Sequence, residues 1–90
     1  MYKKQILITN RTGIHARPAA EFCKLATRYA SDIFIKRLGD KPQEGNAKSV
    51  INVMSLGLSK GVTIEIRAEG DDEQEAVDAL VALVESGLEE

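Results

Sequence analysis

The sequence has no tryptophan, one cysteine, one histidine, two prolines, two phenylalanines and two tyrosines. Each shortage closes a possibility. A lone Cys23 has no partner for an internal disulfide, which fits a reducing compartment and sets cytoplasmic residence as the expectation. With a single histidine and no cysteine pair, there is no ligand set for a structural zinc, so neither metal nor cofactor is expected. No run of eighteen apolar residues exists to span a bilayer, and residues 1–5 lack the apolar stretch of a signal peptide, so no membrane insertion is expected. So few aromatics, with no basic run longer than two residues, argue against a nucleic-acid partner.

What remains is ordinary globular material: 90 residues, 43% hydrophobic and 29% charged. A chain of this length builds one core, and residues 1–90 are read as a single domain. The net charge of −2 hides an asymmetry. Residues 1–64 hold 11 basic and 4 acidic side chains, whereas residues 65–90 hold 1 and 10. The acidic end reads as a solvated helix face, and the basic remainder suits an acidic protein partner.

Hydrophobic periodicity predicts seven elements. Residues 2–9 alternate as a strand, with Lys4, Ile6 and Ile8 on one side. Turn residues at 10–13 lead into a helix over 16–29, with Ala19, Phe22, Cys23, Ala26 and Tyr29 or Ala30 on its buried stripe. Cys23 is thereby core packing rather than a nucleophile. Strands follow at 32–38 and, after Gly39, Asp40 and Pro42, at 43–46. A short helix covers 48–58, ended by Gly57 or Gly61, and a clear strand covers 62–68. A helix over 71–85 buries Ala76, Val77, Leu80, Leu83 and Val84, with acidic residues crowding its positive end. The order βαββαβα is satisfied by an antiparallel sheet with helices packed on one face, an α+β fold.

The chemistry concentrates at Gly13-Ile14-His15-Ala16-Arg17-Pro18. Pro18 suits the first turn of a helix, where its missing N–H has no intrahelical partner. The free N–H groups of such a turn make an anion site. The same dipole keeps a neighbouring imidazole neutral and nucleophilic, and stabilises negative charge once a phosphoryl group is attached. Arg17 brings a planar fork of donors to the same oxygens. A lone histidine ahead of a helix is also compatible with a plain surface or capping role. A hydrolase finds less support, since no motif pairs the histidine with a serine or cysteine nucleophile.

The segment 46–57 carries a second signal. On a helical wheel its apolar residues Val50, Ile51, Val53, Met54 and Leu56 span about 220°, against the roughly 100° of a one-sided helix. Part of that surface must face water or a partner. Ser49, at the start of this run, is a natural N-cap.

Together, Gly-Ile-His15-Ala-Arg17-Pro18-Ala and Lys48-Ser49-Val-Ile-Asn-Val-Met54-Ser-Leu-Gly resemble the two signatures of HPr, the phosphocarrier of the phosphoenolpyruvate-dependent phosphotransferase system. The resemblance implies an open-faced β-sandwich of four antiparallel strands in order 1-4-2-3 with three helices. It implies a carrier rather than an autonomous enzyme, phosphorylated by enzyme I on Nδ1 of His15 and passing the group to IIA proteins or domains. Arg17 becomes the phosphate partner, and Ala16, Ala20, Val50, Ile51 and Met54 the apolar docking rim. Ser49 falls where an ATP-dependent HPr kinase/phosphorylase regulates many members, some of which then engage a transcriptional regulator. A monomer is expected. Thr12 stands where many members carry Ser or Asn, and residues 39–46 are longer than usual. The ending 83–90 is similar to nitrogen-branch relatives, whereas 53–57 resembles the sugar branch. A purely regulatory module of the same fold is the alternative.

Overall fold

The structure is a computed structural model that describes residues 1–11, 13, 14 and 16–87. Seven elements follow in the expected order: β1 Tyr2–Leu7, α1 Ala16–Ala26, β2 Asp32–Arg37, β3 Gln43–Asn46, α2 Val50–Ser55, β4 Thr63–Glu69 and α3 Glu73–Glu85. The strands form one sheet in the order β1-β4-β2-β3, antiparallel throughout. β2 and β3 join by a short loop and pair directly, while β4 enters between β1 and β2 after a helical excursion.

Register decides what each side chain meets. Ile6 opposes Ile64, and Ile66 opposes Ile35, which places the isoleucines on the helix-bearing face. There Ile33, Ile35, Ile64 and Ile66 join Phe22 and Ala26 of α1 and Val77 and Leu80 of α3 in one buried cluster. Burying such a side chain contributes about 1.5–3 kcal/mol each, so this cluster is the main source of stability. α3 packs across β1, β4 and β2, α2 packs on β3, and α1 bridges α2 and α3. On the opposite face Arg67 lies over the Phe34 ring, 4.4 Å from its centroid, and pairs with Glu44 at 2.9 Å.

Several boundaries are shorter than the periodicity predicts. β1 stops at Leu7, although Ile8 is fully buried in the core and its N–H donates to the Val62 carbonyl at 2.9 Å. α1 stops at Ala26; residues beyond it form a turn, with Tyr29 half-buried and Ala30 exposed. β2 ends one residue early at Arg37, and β4 is displaced by one to Thr63–Glu69. α2 begins at Val50 rather than 48, because Ser49 adopts an extended conformation and caps it, and it ends at Ser55 with Gly57 at φ +64°. α3 begins at Glu73 rather than 71, and its Leu83 is only half-buried. The third strand occupies the predicted residues.

Candidate functional site

Asn10 and Gly13 set the approach to α1. The Asn10 side chain donates from Nδ2 to the Gly13 carbonyl at 2.7 Å, and Gly13 donates its N–H to the Asn10 carbonyl at 3.2 Å. Gly13 has φ +66°, and a Cβ there would come 2.5 Å from the Leu58 carbonyl oxygen and 2.7 Å from Ser59 Cα. Only glycine meets both demands. Ile14 then donates to the Leu58 carbonyl at 2.7 Å, so this loop is pinned against the segment leaving α2. His15 and Thr12 lie outside the described residues.

α1 opens at Ala16, with Arg17 exposed and Pro18 buried in its first turn. Pro18 fits there for the reason the sequence suggests, since first-turn N–H groups have no intrahelical acceptor. That turn contains no acidic residue, whereas the first turn of α3 holds Glu73 and Glu75. No carboxylate of its own first turn therefore offsets the positive end of α1. Cys23 is buried within the same helix, and burial pushes its thiol pKa up, away from the reactive thiolate.

α2 lies beside α1. The link is Lys48, whose Nζ donates to the Tyr29 carbonyl at 2.7 Å just beyond the end of α1. The over-wide apolar arc resolves into two faces. Val53 and Leu56 are buried, whereas Ile51 is 80% exposed, Met54 45% and Val50 37%. Ala16 and Ala20 are exposed on the adjoining α1. The two segments read separately in the sequence therefore come together on neighbouring helices.

Ser49 caps α2, its Oγ accepting from the Asn52 backbone N–H at 3.3 Å and from Asn52 Nδ2 at 3.1 Å. The sequence analysis reads Asn10 as a turn residue, and the structure places it in that turn with its side chain bonded to Gly13. The supporting residue Asn52 and the Lys48 tether are not singled out there. Nothing local marks the tether, because its acceptor is a carbonyl 19 positions away. Among the described residues no cluster of three or more His, Cys, Asp or Glu is placed to hold a metal ion, and no helix is long and apolar enough to cross a membrane.

A family model described as the PTS HPr component phosphorylation site matches residues 2–86. The HPr-like protein Crh of Halalkalibacterium halodurans is 47% identical over 85 residues, 94% of this chain and 98% of that protein. The phosphocarrier protein HPr of Vibrio cholerae is 44% identical over 85 residues, 94% of this chain and 96% of that one. Among solved structures, HPr-C-His from Thermoanaerobacter tengcongensis superposes with a TM-score of 0.90 at 47% identity, covering 100% of this chain and 98% of the other. An HPr dimer from the same bacterium matches with a TM-score of 0.75 at 47% identity, each chain covered completely.

Proposed function

Because the chain belongs to the HPr family of the phosphotransferase system, we propose that it accepts a phosphoryl group from enzyme I on His15 and passes it to IIA proteins or domains. The observation that supports this most is the pairing of two features on adjacent helices. α1 starts one residue after His15 without a carboxylate in its first turn, and α2 presents Ile51 and Met54 to solvent beside it. The first suits an added negative charge; the second suits a partner that buries apolar surface while it reaches that charge. Arg17 stabilises the phosphoryl oxygens, and Ala16, Ala20, Val50, Ile51 and Met54 form the docking rim. The protein is a carrier, in the cytoplasm, that depends on partner enzymes for chemistry.

Ser49 adds regulation. A phosphate there places about two negative charges beside Val50, Ile51 and Met54, which opposes a partner that docks by burying apolar groups or presenting acidic ones. HPr kinase/phosphorylase is the proposed modifying partner, and the modified carrier then engages a transcriptional regulator. The chain acts as a monomer, with sedimentation expected to give one species of 9.8 kDa. Incubation with phosphoenolpyruvate and enzyme I, then with a IIA domain, tests the transfer: a phosphoryl mass gained and then lost supports it, and no gain refutes it.

A second reading is a regulatory module, favoured by the likeness to Crh. It requires Ser49 modification and regulator binding without acceptance on His15, so the same assay separates the two. Service in a nitrogen branch instead of sugar transport changes the IIA acceptor, and the onward step distinguishes those.

A further inference from the structure

Asn52 engages Ser49 twice while holding the end of β3. Its Oδ1 accepts the Asn46 backbone N–H at 3.2 Å, and its Nδ2 donates to Ser49 Oγ at 3.1 Å. The first bond settles the orientation of the carboxamide, because only oxygen can accept from an N–H. The amino end must therefore face the serine. Gly45 makes room for this arrangement: a Cβ there would stand 3.2 Å from Asn52 Cβ and 3.4 Å from its Oδ1. The turn beneath is held by the Asn46 side chain, which accepts the Lys48 N–H at 2.9 Å, and by the Ser49 N–H donating to the Asn46 carbonyl at 3.0 Å.

A serine hydroxyl has two lone pairs and one proton. The backbone N–H and the carboxamide of Asn52 occupy both lone pairs. The O–H bond is then left to point away from Asn52, and the side chain is held in one rotamer. We propose that Asn52 is a positioning residue for the modification of Ser49: its carboxamide fixes the hydroxyl with the proton turned outward, toward the base of the kinase. This rests on the regulatory reading of Ser49 given above.

The step it serves balances simply. The kinase's base takes the Oγ proton, the Oγ–phosphorus bond forms, and the bond from the γ-phosphoryl group to ADP breaks. Two effects of Asn52 oppose each other here. Donors on Oγ lower its basicity, whereas a fixed rotamer and an outward proton favour attack. The transition state of phosphoryl transfer is loose and gains little from a stronger nucleophile, while positioning supplies most of the catalysis. Positioning therefore wins, and loss of the carboxamide slows modification.

Asn52→Asp is the discriminating variant. The new carboxylate still accepts the Asn46 N–H but cannot donate to Ser49, so it accepts the serine proton and turns it inward. Asn52→Ala removes the side-chain contact altogether. The test is HPr kinase/phosphorylase with ATP acting on wild type and both variants, with kcat and KM for phosphoserine at Ser49 measured separately. The Ser49 χ1 rotamer is read by NMR couplings alongside. The expected result is a kcat lowered about five- to tenfold in Asn52→Ala, and further in Asn52→Asp, with KM little changed and Ser49 averaging rotamers in the alanine variant. Wild-type modification with unchanged kcat in both variants overturns the role of Asn52 and leaves the Ser49 reading standing. Absence of phosphoserine in the wild type overturns both.

Discussion

Asp72 holds a distant turn instead of its own helix: its carboxylate accepts the backbone N–H of Ser31 at 2.9 Å, 41 positions earlier, and makes no cap bond to α3, whose N-cap it occupies. The same carboxylate accepts the Ala30 N–H at 2.8 Å and the Ser31 hydroxyl. The turn between α1 and β2 is thus fastened to the start of α3. Gly70 lets the two segments close, since a Cβ there would stand 2.5 Å from Ser31 Oγ.

This lock gives the protein an acid-sensitive stability. The Ser31 hydroxyl first, and the Ala30 N–H next, hold the Asp72 carboxyl below its ordinary value of 3.8. The Gly70 N–H, then the terminal amino group, hold Glu73 below 4.5. A carboxylate whose folded pKa is depressed adds stability that is complete above its unfolded value and fades as pH falls through the folded one. Asp72→Asn should therefore melt below wild type at pH 7, with the gap narrowing as pH falls past 3.8. Thermal melts of both proteins from pH 7 to pH 3 check this; a gap that stays constant would show the carboxylate charge to be irrelevant.

Gly13→Ala should be costly for its size. The left-handed φ and the approach to Leu58 and Ser59 together predict a loss of about 1–3 kcal/mol. Since Gly13 leads into α1, phosphoryl acceptance should fall as well. Urea unfolding of the variant measures the first effect, and a loss under about 0.5 kcal/mol would mean that the loop relaxes freely.

Ile51→Glu and Val53→Glu should part company although they lie two residues apart. Ile51 is 80% exposed and Val53 is fully buried. A charge at Val53 must be buried without a partner, which is severely destabilising, whereas one at Ile51 remains in water. Ile51→Glu and Met54→Glu are expected to keep the melting temperature near wild type while weakening enzyme I binding. Calorimetric titration with enzyme I and a thermal melt decide it, and unchanged binding would move the docking surface elsewhere.

Arg17→Ala should slow transfer without unfolding the domain, because Arg17 is exposed in the first turn of α1. A charge-assisted contact to a phosphoryl group is worth about 1.5–3 kcal/mol, so the rate should drop roughly ten- to a hundredfold. Arg17→Lys should recover part of it, lacking the bidentate fork. Rapid-quench measurement of transfer from enzyme I checks both, and wild-type rates in both variants would remove Arg17 from the mechanism.

Much of this was legible in the sequence, for identifiable reasons. Strands such as Thr63–Glu69 and the stripe Ala76, Val77, Leu80 and Val84 depend on local periodicity, which survives in a single sequence. The seven elements and their order, and the division of α2 into buried and exposed sides, follow from the same signal. Helix ends were less legible because caps and polar bonds near them, local at Ser49 and long-range at Asp72 and Lys48, do not show in periodicity. Asp72 reads as a first-turn acid but serves another turn, and Lys48 reads as helical but reaches back to Tyr29. Asn52 reads as a polar gap in an apolar run, and its role shows only once β3 is beside it.

The central claim, a phosphoryl group carried on His15, has a direct measurement. Wild type and His15→Ala are incubated with phosphoenolpyruvate and enzyme I, and each product is mapped by mass spectrometry before and after mild acid and mild base. The account predicts one phosphoryl group on His15 in the wild type, lost in acid and kept in base, and none on the variant, which should remain folded. A variant that still accepts the group, or a wild-type phosphate that survives acid, would contradict it.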